Sequence, residues 1–556
     1  MPTIEISLTD LEKLVGKKLP KDIEKLWEIF EYAKAELENL EGDTVKIAIE
    51  DSNRPDLWCI EGIARQIKGA LGVETGLKEY SAKKSTYEVF VNKKLEKIRP
   101  YIACAVIKNV KLTDEIIKQL MQQQDKIDGT FGRKRRKTSI GLYDFDLIKF
   151  PLKYDITAPN ENEFVPLTFT KKLTPTRILR EHPKGIEYGH ILADFKEYPI
   201  FKDNEGKILS MPPIINSNDL GQITEKTKNL LIEVTGTDYK AVNAALRIMA
   251  LSLVDRGGEL YNVKIDYVYR DNDLTPHLES SEKLLDANYV NKWLGTSLKP
   301  SEIINLLKKA RFNANAKMDS EVEVQVPSYR TDIMHDVDLI EDVAIASGYS
   351  NLKPLPLELA TTGGLPGIEK KANKVRELMI GFGAQEVLNF TLTNKETLFK
   401  NMDLIETPVI EIENPVSLLY YCLRNSLLPG LLEFLSKNTK KEYPQSIFEV
   451  GAIVKPNKSG SDEEKHLAYL SAHKGANFTE AKQALDALFA GQGVHVEIKP
   501  TEHRSFIPGR AGRVIVNDKK IGFIGEFSPE IIQNWGLNVP IVGFELNLTD
   551  LFKIIK

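Results

Sequence analysis

The chain has 556 residues, of which 42% are hydrophobic and 28% charged, with a formal net charge of −4. These values predict a soluble globular protein of roughly three to five domains, and RNA binding stays possible because only the contacting face must be basic. Cys59, Cys104 and Cys422 lie far apart without a CxxC pair, which excludes a zinc ribbon or a disulfide framework. No apolar run approaches ~18 residues and the N-terminus lacks a signal-peptide pattern, so we expect a cytoplasmic protein with no membrane partner.

Residues 1–84 are predicted to form an α/β unit. A helix is expected over about 21–38, where apolar residues recur at helical spacing, and VKIAIE alternates as a strand. NRPD is a turn, and Arg54 and Asp56 are expected to hold it rather than to perform chemistry.

Residues 85–272 are predicted to form a mixed α/β domain, with strands such as YIACAVIKNV and LLIEVTGTD and a helix over about 239–254. Glu233, Thr235 and Thr237 alternate and should share one strand face, which is either the wall of a pocket or a solvated surface. The region has neither a Ser–His–Asp order nor a metal motif, so a hydrolytic site here would use a positioned water. The candidate site residues of this domain are His182, Asn216, Ser217, Asn218, Glu233, Thr235 and Thr237.

The run GRKRRK carries the densest positive charge of the chain, on Arg133, Lys134, Arg135, Arg136 and Lys137. It is either a solvated loop or a contact for nucleic-acid phosphates. Its position beside the candidate strands favours binding of nucleic-acid phosphates.

Residues 273–352 are predicted to form a small helical domain. In VPSYRTDIMHDVDLIEDVAIASGY, the spacing places Asp338, Glu341 and Asp342 on one helix face, and Asp332 precedes that helix. Four converging carboxylates would suit Mg²⁺, whereas the alternative is that acids near a helix start complement its dipole.

Residues 353–556 are predicted to form a final α/β domain, after a linker marked by Pro354 and Pro356. Strands are expected near 386–393, 446–455, 512–516, 520–525 and 541–546. Arg424 is expected to be structural, as most lone charged residues are.

Five segments, in order, resemble the archaeal and eukaryotic form of the phenylalanyl–tRNA synthetase beta-subunit family. They are EDSNRPDLWCIEGIARQIKG, GRKRRKTSIGLYDFD, EHPKGIEYGHIL, SMPPIINSNDLGQIT and YRTDIMHDVDLIEDVAIASGY. Together they span most of the chain, which makes the resemblance far more specific than any single motif.

The resemblance implies a function and partners. The chain would pair with an alpha subunit, as a two-alpha, two-beta complex, in the enzyme that joins phenylalanine to tRNA(Phe) using ATP and Mg²⁺. Asp332, Asp338, Glu341 and Asp342 would bind Mg²⁺, and residues 85–272 would hydrolyse misacylated Tyr-tRNA(Phe).

The resemblance also implies a class II synthetase-like antiparallel sheet in residues 353–556. This domain would lack catalytic residues, since the last strand–helix junction, PIVGFELNLTDLFKIIK, has no arginine and the last arginine of the chain is Arg513. Two alternatives stay open: a stand-alone tRNA-editing hydrolase and a non-catalytic tRNA-binding scaffold.

Overall fold

The computed structural model describes residues 2–354, 356 and 361–555, and the chain divides into two compact units, 1–355 and 356–556. The division falls at the linker that the two prolines predict. Of the domains expected from the sequence, 1–84, 85–272 and 273–352 all lie in the first unit. The described helices include none with the length and apolarity needed to cross a membrane.

The first unit begins with a small antiparallel sheet in the order β1-β3-β2. Its elements are β1 (Thr3–Ser7), α1 (Leu8–Val15), α2 (Ile23–Glu31), β2 (Ala35–Glu41), β3 (Thr44–Ile49) and α3 (Ile60–Ala70). The helix predicted over 21–38 was wrong in its second half, because AELENLE pairs with β3 as a strand. Gly42, at the turn between them, has a φ of 61°, a conformation that favours glycine.

The middle of the first unit contains two sheets, in the orders β10-β9-β8-β7-β4-β13-β14 and β12-β5-β11-β6. The strands are β4 (Glu88–Val91), β5 (Tyr101–Lys108), β6 (Thr138–Asp144), β7 (Leu152–Thr157), β8 (Tyr198–Lys202), β9 (Ile208–Met211), β10 (Ile215–Asn216), β11 (Leu230–Gly236), β12 (Glu259–Tyr261), β13 (Val263–Tyr267) and β14 (Asp273–Thr275). The helices are α4 (Asp114–Lys126), α5 (Pro175–Glu181), α6 (Pro183–Tyr188) and α7 (Tyr239–Asp255).

Strand β11 lies inside its sheet and is buried along its whole length. One face of this sheet packs against α7 through Val242, Leu246 and Met249. Its other face packs against the second sheet, where Val106 and Leu231 meet Val89 and Phe201 in one apolar core. A polar residue on β11 therefore enters an environment without bulk water.

The last part of the first unit contains an antiparallel sheet in the order β15-β17-β16, so it has more strand than the expected small helical domain. Its elements are β15 (Ser281–Asp286), α8 (Ala287–Leu294), α9 (Pro300–Lys309), β16 (Asn313–Met318), β17 (Glu321–Val326) and α10 (Asp336–Ser347). Leu339, Ile340 and Val343 of α10 enter the same apolar core as Val322 and Val324 of β17.

The second unit is built on a sheet in the order β18-β21-β22-β26-β25-β24-β23, antiparallel except where β18 meets β21. The strands are β18 (Gln385–Glu386), β19 (Leu392–Thr393), β20 (Cys422–Leu423), β21 (Gln445–Asn457), β22 (Gly460–Ala472), β23 (Glu497–Pro500), β24 (Phe506–Val516), β25 (Lys519–Phe527) and β26 (Ile541–Asn547). The helices are α11 (Gly367–Gly381), α12 (Leu428–Lys437), α13 (Phe478–Gly491), α14 (Pro529–Asn534) and α15 (Leu548–Ile554).

Separate apolar cores cover the two faces of this sheet. Helices α11, α13 and α15 pack on one face, and α12 and α14 pack on the other. Strand β22 was not among the predicted strands, because its first half, GSDEEK, is polar and mostly exposed.

Candidate functional site

A cavity of about 410 Å³ lies beside β6 and β11 in the first unit. Ten of its twenty lining residues are polar or charged, although most of the exposed surface of the wall is apolar. Of the seven candidates from the sequence, Asn216 and Glu233 line it. Its size and composition are typical of a site for a small molecule or for one end of a larger one.

Glu233 is the most unusual residue of the cavity. It is 3% exposed, and its Oε2 accepts a hydrogen bond of 2.8 Å from the Tyr143 hydroxyl. Its Oε1 is buried without a hydrogen-bond partner. Burial raises the pKa of Glu233 to about 7, although the Tyr143 hydrogen bond and the charge of Arg99 act in the opposite direction. Glu233 therefore supplies the cavity wall with a carboxyl group whose pKa lies near neutrality and whose Oε1 has no hydrogen-bond partner.

Tyr143 and Gly141 position this carboxyl group. The Tyr143 hydroxyl also lies 2.8 Å from Ser210 Oγ and 3.4 Å from Asn216 Oδ1. A Cβ at Gly141 would collide with both the Tyr143 hydroxyl and Glu233 Oε2, so glycine is required there. The segment SIGLYDFD contains both residues, but neither was singled out from the sequence. A glycine and a tyrosine within an otherwise apolar strand were the sequence feature that could have indicated their role.

The other polar candidates of this domain support the backbone around the cavity. Thr235 accepts from Arg99, and Ser217 Oγ accepts from the Leu220 amide. The backbone amide of Asn218 donates to Val165, and the Thr237 hydroxyl donates to the carbonyl of Arg136.

His182 is also buried, and it caps helix α6. Its Nδ1 accepts from the Lys184 amide, and its Nε2 lies 3.1 Å from the carbonyl of Leu167. Both ring nitrogens are therefore engaged, and the ring packs on Phe169 at 4.7 Å.

The basic run forms a turn whose arginines and lysines have different environments. Arg133, Lys134 and Arg135 have φ values of 50°, 53° and 64°, so the backbone is left-handed at three successive residues. Arg133, Lys134 and Arg136 are exposed, whereas Lys137 pairs with Asp238 at 3.2 Å.

Arg135 points inward and lines the cavity. It donates to the carbonyls of Ile214 and Pro213 at 2.9 and 3.2 Å, and its Nε lies 3.3 Å from Asp128. Buried Arg99 donates a hydrogen bond from Nη1 to the carbonyl of Arg135. Arg135 therefore ties the basic turn to the cavity wall, and the exposed members of the run are the ones available to a partner.

The four acids expected to bind Mg²⁺ each have protein partners, and two of them, Asp332 and Asp342, meet on Arg330. Asp332 accepts from both Nε and Nη2 of Arg330, at 2.8 and 2.6 Å, and Asp342 accepts from the same Nη2 at 2.6 Å. Burial would raise the pKa of Asp332, but the bonds from Arg330 lower it to about 2.

The remaining two acids also have partners of their own. Asp338 accepts from the amides of Met334 and His335 at the start of α10, and Glu341 pairs with Lys34 at 2.6 Å. Across the described ranges, no group of three or more His, Cys, Asp or Glu side chains is placed to hold a metal ion. In this arrangement Arg330 lies between Asp332 and Asp342, and Mg²⁺ binding by the four acids stays a prediction.

The acids instead join the last part of the first unit to its N-terminal part. Arg54, which forms two hydrogen bonds with Asp56, lies 3.8 Å from Asp332. Lys34 bridges Glu341 and Asp51, each at 2.6 Å. The expectation that Arg54 and Asp56 hold their turn is confirmed, and Arg54 also takes part in this contact.

Comparison with known proteins extends over the whole chain. Two protein-family models match: the tRNA synthetase B5 domain over residues 284–349 and the phenylalanyl tRNA synthetase beta chain CLM domain over residues 353–548. The phenylalanine–tRNA ligase beta subunit of Pyrococcus abyssi is 43% identical, with 100% of each chain covered. The corresponding protein of Methanosarcina acetivorans is 40% identical over 99% of each chain.

A solved structure is also similar. It is an N-terminal fragment of the phenylalanyl-tRNA synthetase beta subunit of Pyrococcus horikoshii, with 41% sequence identity and a TM-score of 0.60. The match covers 63% of this chain and 100% of the fragment.

Replacing Arg330 with Gln should strongly destabilise the first unit. The substitution leaves Asp332 and Asp342 buried without their cation, which typically costs roughly 3–5 kcal/mol. Thermal unfolding followed by circular dichroism measures the loss, and Arg177→Gln, which removes an exposed ion pair with Glu181, is the matched control. An Arg330→Gln chain as stable as the control would contradict the assignment of the acids to this ion-pair network.

Replacing Glu233 with Gln should stabilise the chain more at about pH 8 than at about pH 5. The unfolded chain loses the Glu233 proton near pH 4.5, whereas the folded chain keeps it to about pH 7. The ionised wild-type side chain therefore destabilises the fold increasingly across that interval, by about 3 kcal/mol at most, and glutamine removes this cost. The melting temperatures of both proteins at each pH test this, with exposed Glu161→Gln as control. A difference independent of pH would show that Glu233 titrates normally.

Proposed function

Because the chain belongs to the family of phenylalanine–tRNA ligase beta subunits, we propose that its cavity around Glu233 hydrolyses the ester of tRNA(Phe) that carries tyrosine by mistake. The resemblance of the five sequence segments to this family is confirmed by the full-length relatives. The chain is accordingly a subunit of a ligase. That membership argues against a stand-alone hydrolase, and the cavity argues against a scaffold without a hydrolytic site.

The free oxygen of Glu233 is the observation that supports editing. Tyrosine differs from phenylalanine by one hydroxyl, and an apolar synthetic pocket rejects that extra hydroxyl only weakly. A buried oxygen without a partner reverses the preference, since a tyrosyl hydroxyl can bond to it whereas a phenylalanyl ring would leave it unpaired. The mainly apolar wall suits the aromatic ring of the ester.

The chemistry requires a positioned water rather than a protein nucleophile. Cys104 lies opposite Glu233 on the neighbouring strand β5, and burial raises the pKa of its thiol well above the usual range, so it stays protonated. Ser139, Ser210 and Lys184 line the cavity together with Asn216 and can hold water and the ester carbonyl. Holding water beside an ester in a partly dry site supplies orientation, which is a large part of such a rate enhancement.

The exposed cations of the basic turn would bind the tRNA backbone. Arg133, Lys134 and Arg136 lie on the loop that Arg135 ties to the cavity wall. Phosphates bound there would deliver the acceptor end to the cavity. Such contacts are independent of the attached amino acid and sensitive to salt.

The second unit would contact the alpha subunit, which would carry the ATP- and Mg²⁺-dependent aminoacylation centre of a two-alpha, two-beta enzyme. Leu388, Phe390, Val416, Leu418 and Leu419 are large apolar side chains that are 66–107% exposed, and we refer to them together as the apolar patch. Leu388 and Phe390 also line a cleft with Tyr420, and the rings of Phe390 and Tyr420 lie 5.8 Å apart. A partner subunit that covers this patch removes its exposure to water.

Replacing Glu233 or Asn216 with Ala should lower the rate of Tyr-tRNA(Phe) deacylation by roughly 10-fold to 1,000-fold, because a polar partner of the hydroxyl or the water is lost. The measurement is deacylation of Tyr-tRNA(Phe) by the alpha–beta complex, with aminoacylation by phenylalanine as the control for intact assembly. The Cys104→Ala variant should keep the wild-type rate. Unchanged rates in both cavity variants would remove the cavity as the editing site without affecting the family assignment.

A variant in which Arg133, Lys134 and Arg136 are all changed to Gln tests tRNA binding rather than recognition of the amino acid. It should weaken binding of Tyr-tRNA(Phe) and Phe-tRNA(Phe) equally and flatten the salt dependence of both. A selective loss for the tyrosyl form would show that the turn recognises the amino acid.

Replacing Leu388 and Leu418 with Asp should weaken association with the alpha subunit by roughly 30-fold or more, the effect of losing an interface hot spot. Sedimentation of the purified complex over a dilution series measures this. The matched control changes Met318 and Val268, each 70% exposed in the first unit, to Asp. Equal association of both double variants would exclude the patch as the interface.

A further inference from the structure

A second cavity, of about 600 Å³, lies in the second unit and is separate from the editing site. It opens at one end of the large sheet, on the face covered by α12 and α14. Elsewhere this face is apolar: Ala468 and Leu470 of β22 and Ile541 of β26 belong to its core. At the cavity the same face becomes charged, with His466 on β22 and Glu545 on β26. Charged residues at positions where the strand pattern calls for core residues are characteristic of a functional site.

Three strands bring the principal residues side by side. Glu545 pairs with Phe523 across β26 and β25, and Phe523 pairs with Arg513 across β25 and β24. Directly opposed residues of an antiparallel pair have Cβ atoms roughly 5 Å apart on one face. The Arg513 guanidinium accordingly lies over the Phe523 ring, 4.0 Å from its centroid.

The acids of the cavity already have partners. Glu545 accepts from the Ser426 hydroxyl at 2.6 Å and from the amides of Leu427 and Leu428. Its other oxygen lies 2.7 Å from His466 Nδ1.

The second acid is compensated in the same way. Glu464 pairs with Lys455 at 2.7 Å and with His466 Nε2 at 3.1 Å. The hydrogen bond from His466 is the principal cause that lowers the pKa of Glu464 to about 2. Both acids therefore stay ionised and neutralise cations of the wall, and the third acid of the wall, Asp550, pairs with Lys553 at 3.2 Å. None of the three is left to attract a further cation.

Two cations of the wall have no such compensation. In the part of the chain that the structure describes, neither Arg513 nor Lys520 has a carboxylate within 4.0 Å, although both line the cavity. Nε of Arg513 is buried and has no hydrogen-bond partner. A buried N–H without an acceptor is costly, and an anionic ligand would satisfy it. The uncompensated charge of this cavity is therefore positive.

Aromatic and apolar side chains complete the wall. The His503 ring packs against Phe523, with centroids 4.9 Å apart, and Ile405 and Ile521 lie at the cavity. The aromatic pair of His503 and Phe523 gives the wall a surface on which a planar ring can pack. We propose that this cavity binds a small phosphorylated ligand with a planar ring, of the mononucleotide class, with Arg513 and Lys520 at the phosphate.

The experiment is equilibrium dialysis of labelled ATP against the intact alpha–beta complex. A non-hydrolysable phenylalanyl-adenylate analogue first fills the synthetic sites, so that only additional binding is counted. One further ATP should bind per beta chain. Arg513→Gln should weaken this binding at least about tenfold, the loss of a charge-assisted hydrogen bond. Lys520→Gln should weaken ATP binding as well. Because Lys520 is exposed, this variant should fold normally, so it tests the site even if Arg513→Gln does not fold.

Arg510→Gln is the matched control. Arg510 lies on the same strand, β24, but pairs with Glu526 and is not part of the cavity wall. Its substitution should leave ATP binding unchanged. The proposal is overturned if no ATP binds beyond the filled synthetic sites, or if both cavity variants bind ATP as the wild type does. Equal affinity for ATP and inorganic phosphate would overturn the nucleotide class. The effects of the Glu233 and Asn216 substitutions on editing are independent of these ATP-binding outcomes.

Discussion

The burial of a carboxyl group in the middle of β11 is the constraint on which the first cavity depends. Glu233 lies on a strand with neighbours on both sides and apolar cores on both faces, so its ionised form is poorly hydrated. Tyr143 satisfies one oxygen, Gly141 gives both groups room, and Arg99 supplies a nearby positive charge. The remaining oxygen, Oε1, is buried without a hydrogen-bond partner. A buried polar group without a hydrogen-bond partner lowers the free energy of unfolding. The same free energy is recovered when a ligand forms that hydrogen bond, so the group also selects ligands that can form it.

The acidic helix α10 shows the opposite solution to a buried charge. Asp332 and Asp342 are buried like Glu233, but Arg330 lies between them and donates hydrogen bonds to both. With Arg54 and Lys34, these residues connect the last part of the first unit to its N-terminal part. Such a network fixes the arrangement of neighbouring parts more than it adds net stability, because desolvation offsets much of the attraction. In this chain, Arg330 and its acids hold the framework, whereas Glu233 lies at the wall of the first cavity.

The sequence predicted which residues share one face of a strand or helix, but it did not predict which distant residues those side chains contact. Alternation on LLIEVTGTD correctly placed Glu233 and Thr235 on one strand face. Only the structure shows that Thr235 accepts a hydrogen bond from Arg99, whereas Glu233 lines a cavity. Helical spacing grouped the acids of α10, but the cations that divide them come from Arg330, Arg54 and Lys34, two of which lie about 300 residues away along the chain. Strand β22 was not predicted because pairing with β21 and β26, rather than its own polar first half, makes it a strand. Contacts between distant segments are the information that local patterns lack.

The central claim is that the Glu233 cavity selects a phenol over a phenyl ring. Calorimetric titration of the alpha–beta complex, with its synthetic sites filled, can compare two stable amide-linked analogues, tyrosyl-aminoadenosine and phenylalanyl-aminoadenosine. The account predicts that the tyrosyl analogue binds at least about tenfold more tightly, the value of one hydrogen bond to a charged, otherwise unpaired group. Equal binding of the two analogues, or tighter binding of the phenylalanyl one, would contradict it.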